Sequence, residues 1–261
     1  MMHGNPQSLN RSLFFPKEIP MNVIYEPKGR AREYSPLACN LYRGCTHGCL
    51  YCYAPGCMRT TSAKWHEGAV VRSRVLELFE KDAAKLRGDP RKILFSFLSD
   101  PYQPLEATEK ITRQALEMVK KYNLRSQILT KGGVLVERDF DLMKACGTEL
   151  GVTLCFVDDE LRRKWEPTAA SVAERLQLLC NAHAAGLHTW VSLEPVIDPD
   201  QALAVIREAH PWVSFWKVGK LNHMKEVEKQ VDWRLFRREV EALLQRLHAN
   251  YYIKDDLRAF L

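Results

Sequence analysis

Six short runs rich in β-branched and aromatic residues, at 40–42, 93–98, 127–130, 151–156, 189–193 and 213–218, alternate with stretches of helical period. A strand that must be followed by a helix cannot pair with its successor as a hairpin, so the crossovers lay such strands side by side in parallel. In the first helical stretch Leu76, Phe79, Ala83 and Leu86 share a face behind a cap at Ser73. Ile111, Ala115, Met118 and Tyr122 share one in the next. Ser171 and Glu174 have capping-box spacing ahead of Leu176, Leu179 and His183, with Gly186 placed to end that helix. A short helix is expected over 202–210, and a final one over 233–248 with Phe236, Val240, Leu243 and Leu247 in register. Six βα units are too few for a closed eight-stranded barrel. The expected class is therefore α/β, an open, partial TIM barrel. Residues 1–36, with Pro6, Pro16, Pro20, Pro27 and Pro36, read as an N-terminal arm, 37–250 as the barrel domain and 251–261 as a C-terminal tail.

Chemistry in such architectures gathers at the carboxyl ends of the strands. Polar residues sit there: Ser99 and Asp100, Thr130 and Lys131, Asp158 and Asp159, Glu194, and the stretch 217–222. At 46% hydrophobic and 27% charged residues the chain has a globular composition. It holds no apolar run of the roughly 18 residues that a membrane helix needs. Its start, MMHGNPQSLNRS, has no apolar stretch to act as a signal peptide, so a cytoplasmic protein is expected. In that setting eight cysteines point to metal or redox use rather than disulfides. The formal charge of +6 mildly favours polyanions.

Directly after the first run, GCTHGCLYCYAPGC places Cys45, Cys49 and Cys52 at Cys-x3-Cys-x2-Cys spacing. Three soft thiolates on one short loop can each take one iron of a cubane. The fourth iron then stays open to an exogenous ligand, unlike that of an electron-transfer cluster with four cysteines. Zinc is the competing reading, with Cys49, Cys52, Cys57 and His47 as an irregular ligand set. It explains neither the three-residue gap nor the barrel pattern that follows. Cys39 and Cys57 flank the loop, and Cys146 and Cys180 fall on helical stretches as small hydrophobes.

This spacing, with aromatic Tyr51 just before the third cysteine, resembles the radical S-adenosylmethionine superfamily. LYRGCTHGCLYCYA (41–54), FLSDPYQPLE (97–106), LTKGG (129–133) and DDELRRKWEP (158–167) resemble its spore photoproduct lyase-like branch. The resemblance implies a 4Fe-4S cluster on Cys45, Cys49 and Cys52, with S-adenosylmethionine chelating the open iron. Its reductive cleavage gives methionine and a 5'-deoxyadenosyl radical that abstracts hydrogen from substrate. Cofactor contacts are implied for Tyr51, Ser99, Asp100, Lys131, Thr153, Cys155 and Glu194, with Tyr102, Glu106 and Glu166 also lining the site. Authentic lyases return a hydrogen atom from a cysteine near the end of the second strand, where this chain has Phe97, leaving Cys57, Tyr53 and Tyr102 as candidate donors. A reductant such as flavodoxin or ferredoxin is implied. The substrate reads as a nucleic acid, in repair or modification, or else as a peptide or small molecule.

Cys49→Ala is expected to abolish both the thiolate-to-iron absorbance near about 400 nm and cofactor cleavage after anaerobic reconstitution. Cys180→Ala should spare both.

Overall fold

A computed structural model describes residues 22–260. Most of the proline-rich arm, with Pro6, Pro16 and Pro20, lies outside that range. Ten strands are present among the described residues: β1 (Ile24–Tyr25), β2 (Leu37–Cys39), β3 (Tyr42–Arg43), β4 (Val70–Val71), β5 (Lys92–Phe95), β6 (Arg125–Thr130), β7 (Glu149–Thr153), β8 (Thr189–Val196), β9 (Phe215–Lys220) and β10 (Tyr251–Ile253). Eight form one sheet in the order β1-β2-β5-β6-β7-β8-β9-β10. Every pairing in it is parallel except β1 with β2. The sheet ends at β1 and β10 without closing on itself, as an open, partial barrel does.

Three expectations are corrected. The first parallel strand is 37–39, not 40–42, because the Asn40 side chain leaves the ladder to accept from the amides of Phe97 (3.1 Å) and Leu98 (2.9 Å). Tyr42 and Arg43 instead pair with Val71 and Val70 in a separate hairpin. The helix expected behind Ser73 starts at Val75, with Arg74 in the left-handed region (φ 53°) at the cap and no side-chain cap bond. Residues 251–253, expected in a tail, form a seventh parallel strand paired with Trp216, Lys217 and Val218. Three residues are too few to show a period in sequence, and the edge of β9 supplies their hydrogen bonds. The Ser171–Glu174 capping box forms as its spacing predicts, and the helix Trp233–Arg246 is capped by Asp232.

Alternation along the strands divides the core. Ile93, Phe95, Ile128, Val191 and Val218 join the apolar faces of the surrounding helices in the main cluster. Leu94, Ala38 and Trp190 form a second cluster with Tyr34, Phe97 and Leu129. Tyr34 comes from the arm, and its ring centroid is 6.1 Å from both Phe97 and Trp190. Its carbonyl accepts from Gln127 Nε2 (2.6 Å) and Lys217 Nζ (2.8 Å), which tether the arm to β6 and β9. Burial, with Lys92 adding repulsion, lowers the Lys217 pKa to about 8.

Gly151 leaves room for Trp190: a Cβ there would lie 2.1 Å from Trp190 Cε2 and 2.6 Å from the Ile128 carbonyl oxygen. Gly151→Ala is expected to destabilise the fold by about 2–3 kcal/mol, the scale of core overpacking, read as a lowered denaturation midpoint.

Candidate active site

The loop that carries the three cysteines has no ladder of its own, and its backbone groups are satisfied by remote segments. Cys45 N donates to the Trp65 carbonyl (3.2 Å), and Leu50 N to the Trp165 carbonyl (2.9 Å). Thr168 N donates to the His47 carbonyl (3.2 Å), and its hydroxyl to that of Thr46. Gly44 (φ 81°) approaches so closely that a Cβ would lie 2.1 Å from the Gly68 carbonyl oxygen, which only glycine tolerates. These contacts set Cys45, Cys49 and Cys52 on the wall of one cavity of ≈ 330 Å³.

Burial raises the thiol pKa of Cys45 to about 11 and of Cys49 to about 12, so loading a metal must displace their protons. The donor set fits a cubane with one corner free of protein. Three cysteines face the cavity, and no fourth lines it among the described residues. No three His, Cys, Asp or Glu side chains there converge as a single metal ion requires. Of the zinc set, Cys57 is exposed outside the cavity, while His47 lines it with Cys49 and Cys52 and faces Asp100 at 3.5 Å through Nδ1.

Tyr51, Ser99, Asp100, Lys131, Thr153 and Glu194 line the same cavity. They differ in what they can offer a ligand. Asp100 is occupied: Oδ1 accepts from Tyr102 N (2.9 Å) and Thr130 Oγ1 (2.6 Å), and Oδ2 from Lys131 N (2.6 Å), which joins the ends of β5 and β6. Ser99 Oγ donates to the Tyr42 carbonyl (3.0 Å). The Lys131 ammonium lies 5.6 Å over the Tyr51 ring. Burial opposes its charge, but Cys49, Glu166 and Asp100 outweigh that and leave its pKa raised. Glu194 is paired with Lys254 (2.7 and 2.8 Å) and accepts from the Tyr34 hydroxyl (2.5 Å).

Cys155 is buried and is not among the cavity-lining residues. Tyr102 is buried with its hydroxyl on Asp139 (3.0 Å), and fully buried Glu106 accepts from Tyr42 and pairs with Arg138 (2.6 Å), so both support loops behind the site. Glu166 is fully buried behind Tyr51, whose hydroxyl it accepts from. Burial alone would raise its pKa, yet Arg175 and Lys131 hold it below the ordinary carboxylate value. Of the hydrogen-donor candidates Tyr53 lines the cavity, 47% exposed, and its hydroxyl donates to the Phe97 carbonyl (2.7 Å). Arg175, Tyr34 and Lys254 carry no local signal in the sequence. They reach the site from a helix, from the arm and from just beyond the last strand.

The radical SAM superfamily profile matches residues 39–211. An uncharacterized protein of Methanocaldococcus jannaschii is 32% identical over 187 residues, 70% of this chain and 69% of that one. An uncharacterized protein of Mycobacterium tuberculosis is 26% identical over 166 residues, 60% of this chain and 48% of that one. Among solved structures, spore photoproduct lyase complexed with dinucleoside spore photoproduct superposes with a TM-score of 0.65 at 14% identity, over 88% of this chain and 79% of that one. Streptococcus suis SuiB bound to S-adenosylmethionine superposes with a TM-score of 0.60 at 11% identity, over 83% of this chain and 45% of that one. The chain thus spans about half the length of the mycobacterial relative and of SuiB. It belongs to the radical SAM superfamily, and is an enzyme whose cofactors are a 4Fe-4S cluster and S-adenosylmethionine.

Lys131→Met keeps the length of the side chain and removes its charge. It is expected to leave cluster absorbance intact and to weaken S-adenosylmethionine binding about ten-fold, the scale of one charge-assisted contact, read by titration of the reconstituted protein.

Proposed function

We propose that this radical SAM enzyme abstracts hydrogen from a nucleic acid, in repair or base modification. The charge on the wall facing the cysteine loop carries this reading. Arg30, Lys220 and His223 line the cavity there, and Lys28, Arg32 and Lys225 are exposed in the same two segments. Arg30 Nη1 donates to Asn222 Oδ1 at 2.7 Å and ties those segments together. Asp256 lies 3.5 Å from Arg30, and Glu228 2.8 Å from Lys220, so the two inner cations are partly balanced while the outer ones face solvent. Cations spread along a rim suit a row of phosphates better than a single small anion. A cavity of ≈ 330 Å³ has room for small molecules, not for a duplex, so a polymer would present one unit to it with its backbone on the rim. Spore photoproduct lyase, which shares the fold, forms a complex with a dinucleoside.

When bound on Cys45, Cys49 and Cys52, the cluster with S-adenosylmethionine supplies a 5'-deoxyadenosyl radical after one-electron reduction. The protein's own part is to hold the substrate against that position and to return hydrogen. With Phe97 where the lyase cysteine is expected, the reaction we propose is not the splitting of the thymine photoproduct itself. We assign hydrogen return to Tyr53, the one of the three candidates on the cavity wall; the O–H bond breaks as the substrate C–H bond forms, and the phenoxyl radical left there would be reduced by one electron from a reduced carrier and one proton from solvent. A reduced carrier of the flavodoxin or ferredoxin kind is the proposed electron source. A cytoplasmic setting, in which thiols stay reduced, is proposed.

Binding of single-stranded and duplex oligonucleotides, measured against salt, tests the substrate class. Affinity should fall steeply with salt, and replacing both Arg30 and Lys220 by Ala should flatten the log–log slope by about one to two. A weak, salt-insensitive response from the unaltered protein would reject a nucleic acid in favour of a peptide or small molecule.

A further inference from the structure

Tyr51 is fixed from behind by a network that the chemistry of the cluster does not require. Its hydroxyl donates to Glu166 Oε1. The second oxygen of Glu166 lies 2.6 Å from Arg175 Nη2, and both side chains are fully buried. The guanidinium is otherwise spent on the walls of the site: Nε donates to the Ala170 carbonyl (2.9 Å) and Nη1 to that of Thr153 (3.0 Å). The segment holding Glu166 is itself bonded to the loop, through the Trp165 carbonyl to Leu50 N and through Thr168 N to the His47 carbonyl. Ala170 N bonds the Lys131 carbonyl (3.1 Å), so the segment also reaches the lysine whose ammonium lies over the Tyr51 ring.

A buried ion pair is a poor source of stability, because desolvating two charges offsets most of their attraction. Apolar packing alone could retain an aromatic ring at position 51. What a phenol bonded to a paired carboxylate adds is a fixed ring position, since the oxygen at the far end of the ring is pinned and the side chain can no longer swing away from the cluster wall. We propose that Glu166, held by Arg175, is a positioning residue for S-adenosylmethionine: it pins the Tyr51 ring under the Lys131 ammonium, so that the cofactor meets a preformed aromatic and cationic wall. This is independent of which substrate the enzyme takes.

The test uses the anaerobically reconstituted full chain as wild type, Tyr51→Phe, Glu166→Gln and the double variant. S-adenosylmethionine is titrated against the electron paramagnetic resonance signal of the reduced cluster, with iron content and denaturation midpoint measured alongside. Tyr51→Phe keeps the ring and should keep wild-type iron content, while its dissociation constant for S-adenosylmethionine rises about ten-fold. Glu166→Gln should weaken binding less, because an amide oxygen still accepts from the phenol, and it should add nothing in the Tyr51→Phe background. Wild-type affinity in Tyr51→Phe overturns the proposal, as do Glu166→Gln and Tyr51→Phe effects that multiply. If Glu166→Gln fails to fold, the Tyr51→Phe affinity decides alone.

Discussion

The site depends on an irregular loop whose backbone is hydrogen-bonded by segments distant in sequence. Between Gly44 and Tyr53 no strand or helix supplies partners, and buried amides left without them would be costly. The carbonyls of Trp65 and Trp165, and the amide and hydroxyl of Thr168, fill that need from two sides. Three thiols are thereby directed at one space.

Around that loop the cavity has two unlike walls. On the cluster side, Tyr51, Lys131 and the buried Glu166–Arg175 pair are interlocked. On the far side, Tyr34 from the arm and Lys254 from just beyond β10 converge on Glu194 and cancel its charge. Gly219 makes this convergence feasible, since a Cβ there would lie 2.8 Å from Glu194 Cδ. The cations of that side are Arg30 and Lys220 at the cavity and exposed Lys28, Arg32 and Lys225 in the same segments. Both chain-terminal segments of the described structure are therefore parts of the site, although neither bears a motif.

Membership of the superfamily specifies how the radical is made and leaves open what it attacks, because fold and initiating chemistry are shared while the substrate wall is not. The relatives make the same point. Likeness at 14% identity to spore photoproduct lyase speaks for the barrel alone. Tyr53 holds its phenol on the Phe97 carbonyl at the cavity wall.

The sequence by itself determined the parallel α/β class, through the alternation of strand-like runs with amphipathic stretches, and singled out, through a spacing that is local and chemically specific, the three cysteines that the structure sets on one cavity wall. It also contained Tyr51, Lys131 and Glu194 at strand ends or in the motif, because position along a strand predicts which end of the barrel a residue occupies. Only the tertiary structure decided that Asp100 is occupied as a brace, that Tyr102 and Glu106 face away from the cavity, and that Arg175, Tyr34 and Lys254 belong to the site. It alone made residues 251–253 a strand. The reason is common to all of these: hydrogen bonds and ion pairs between residues from nine to 160 positions apart leave no periodicity in one sequence, so their partners appear only once the barrel has brought them together.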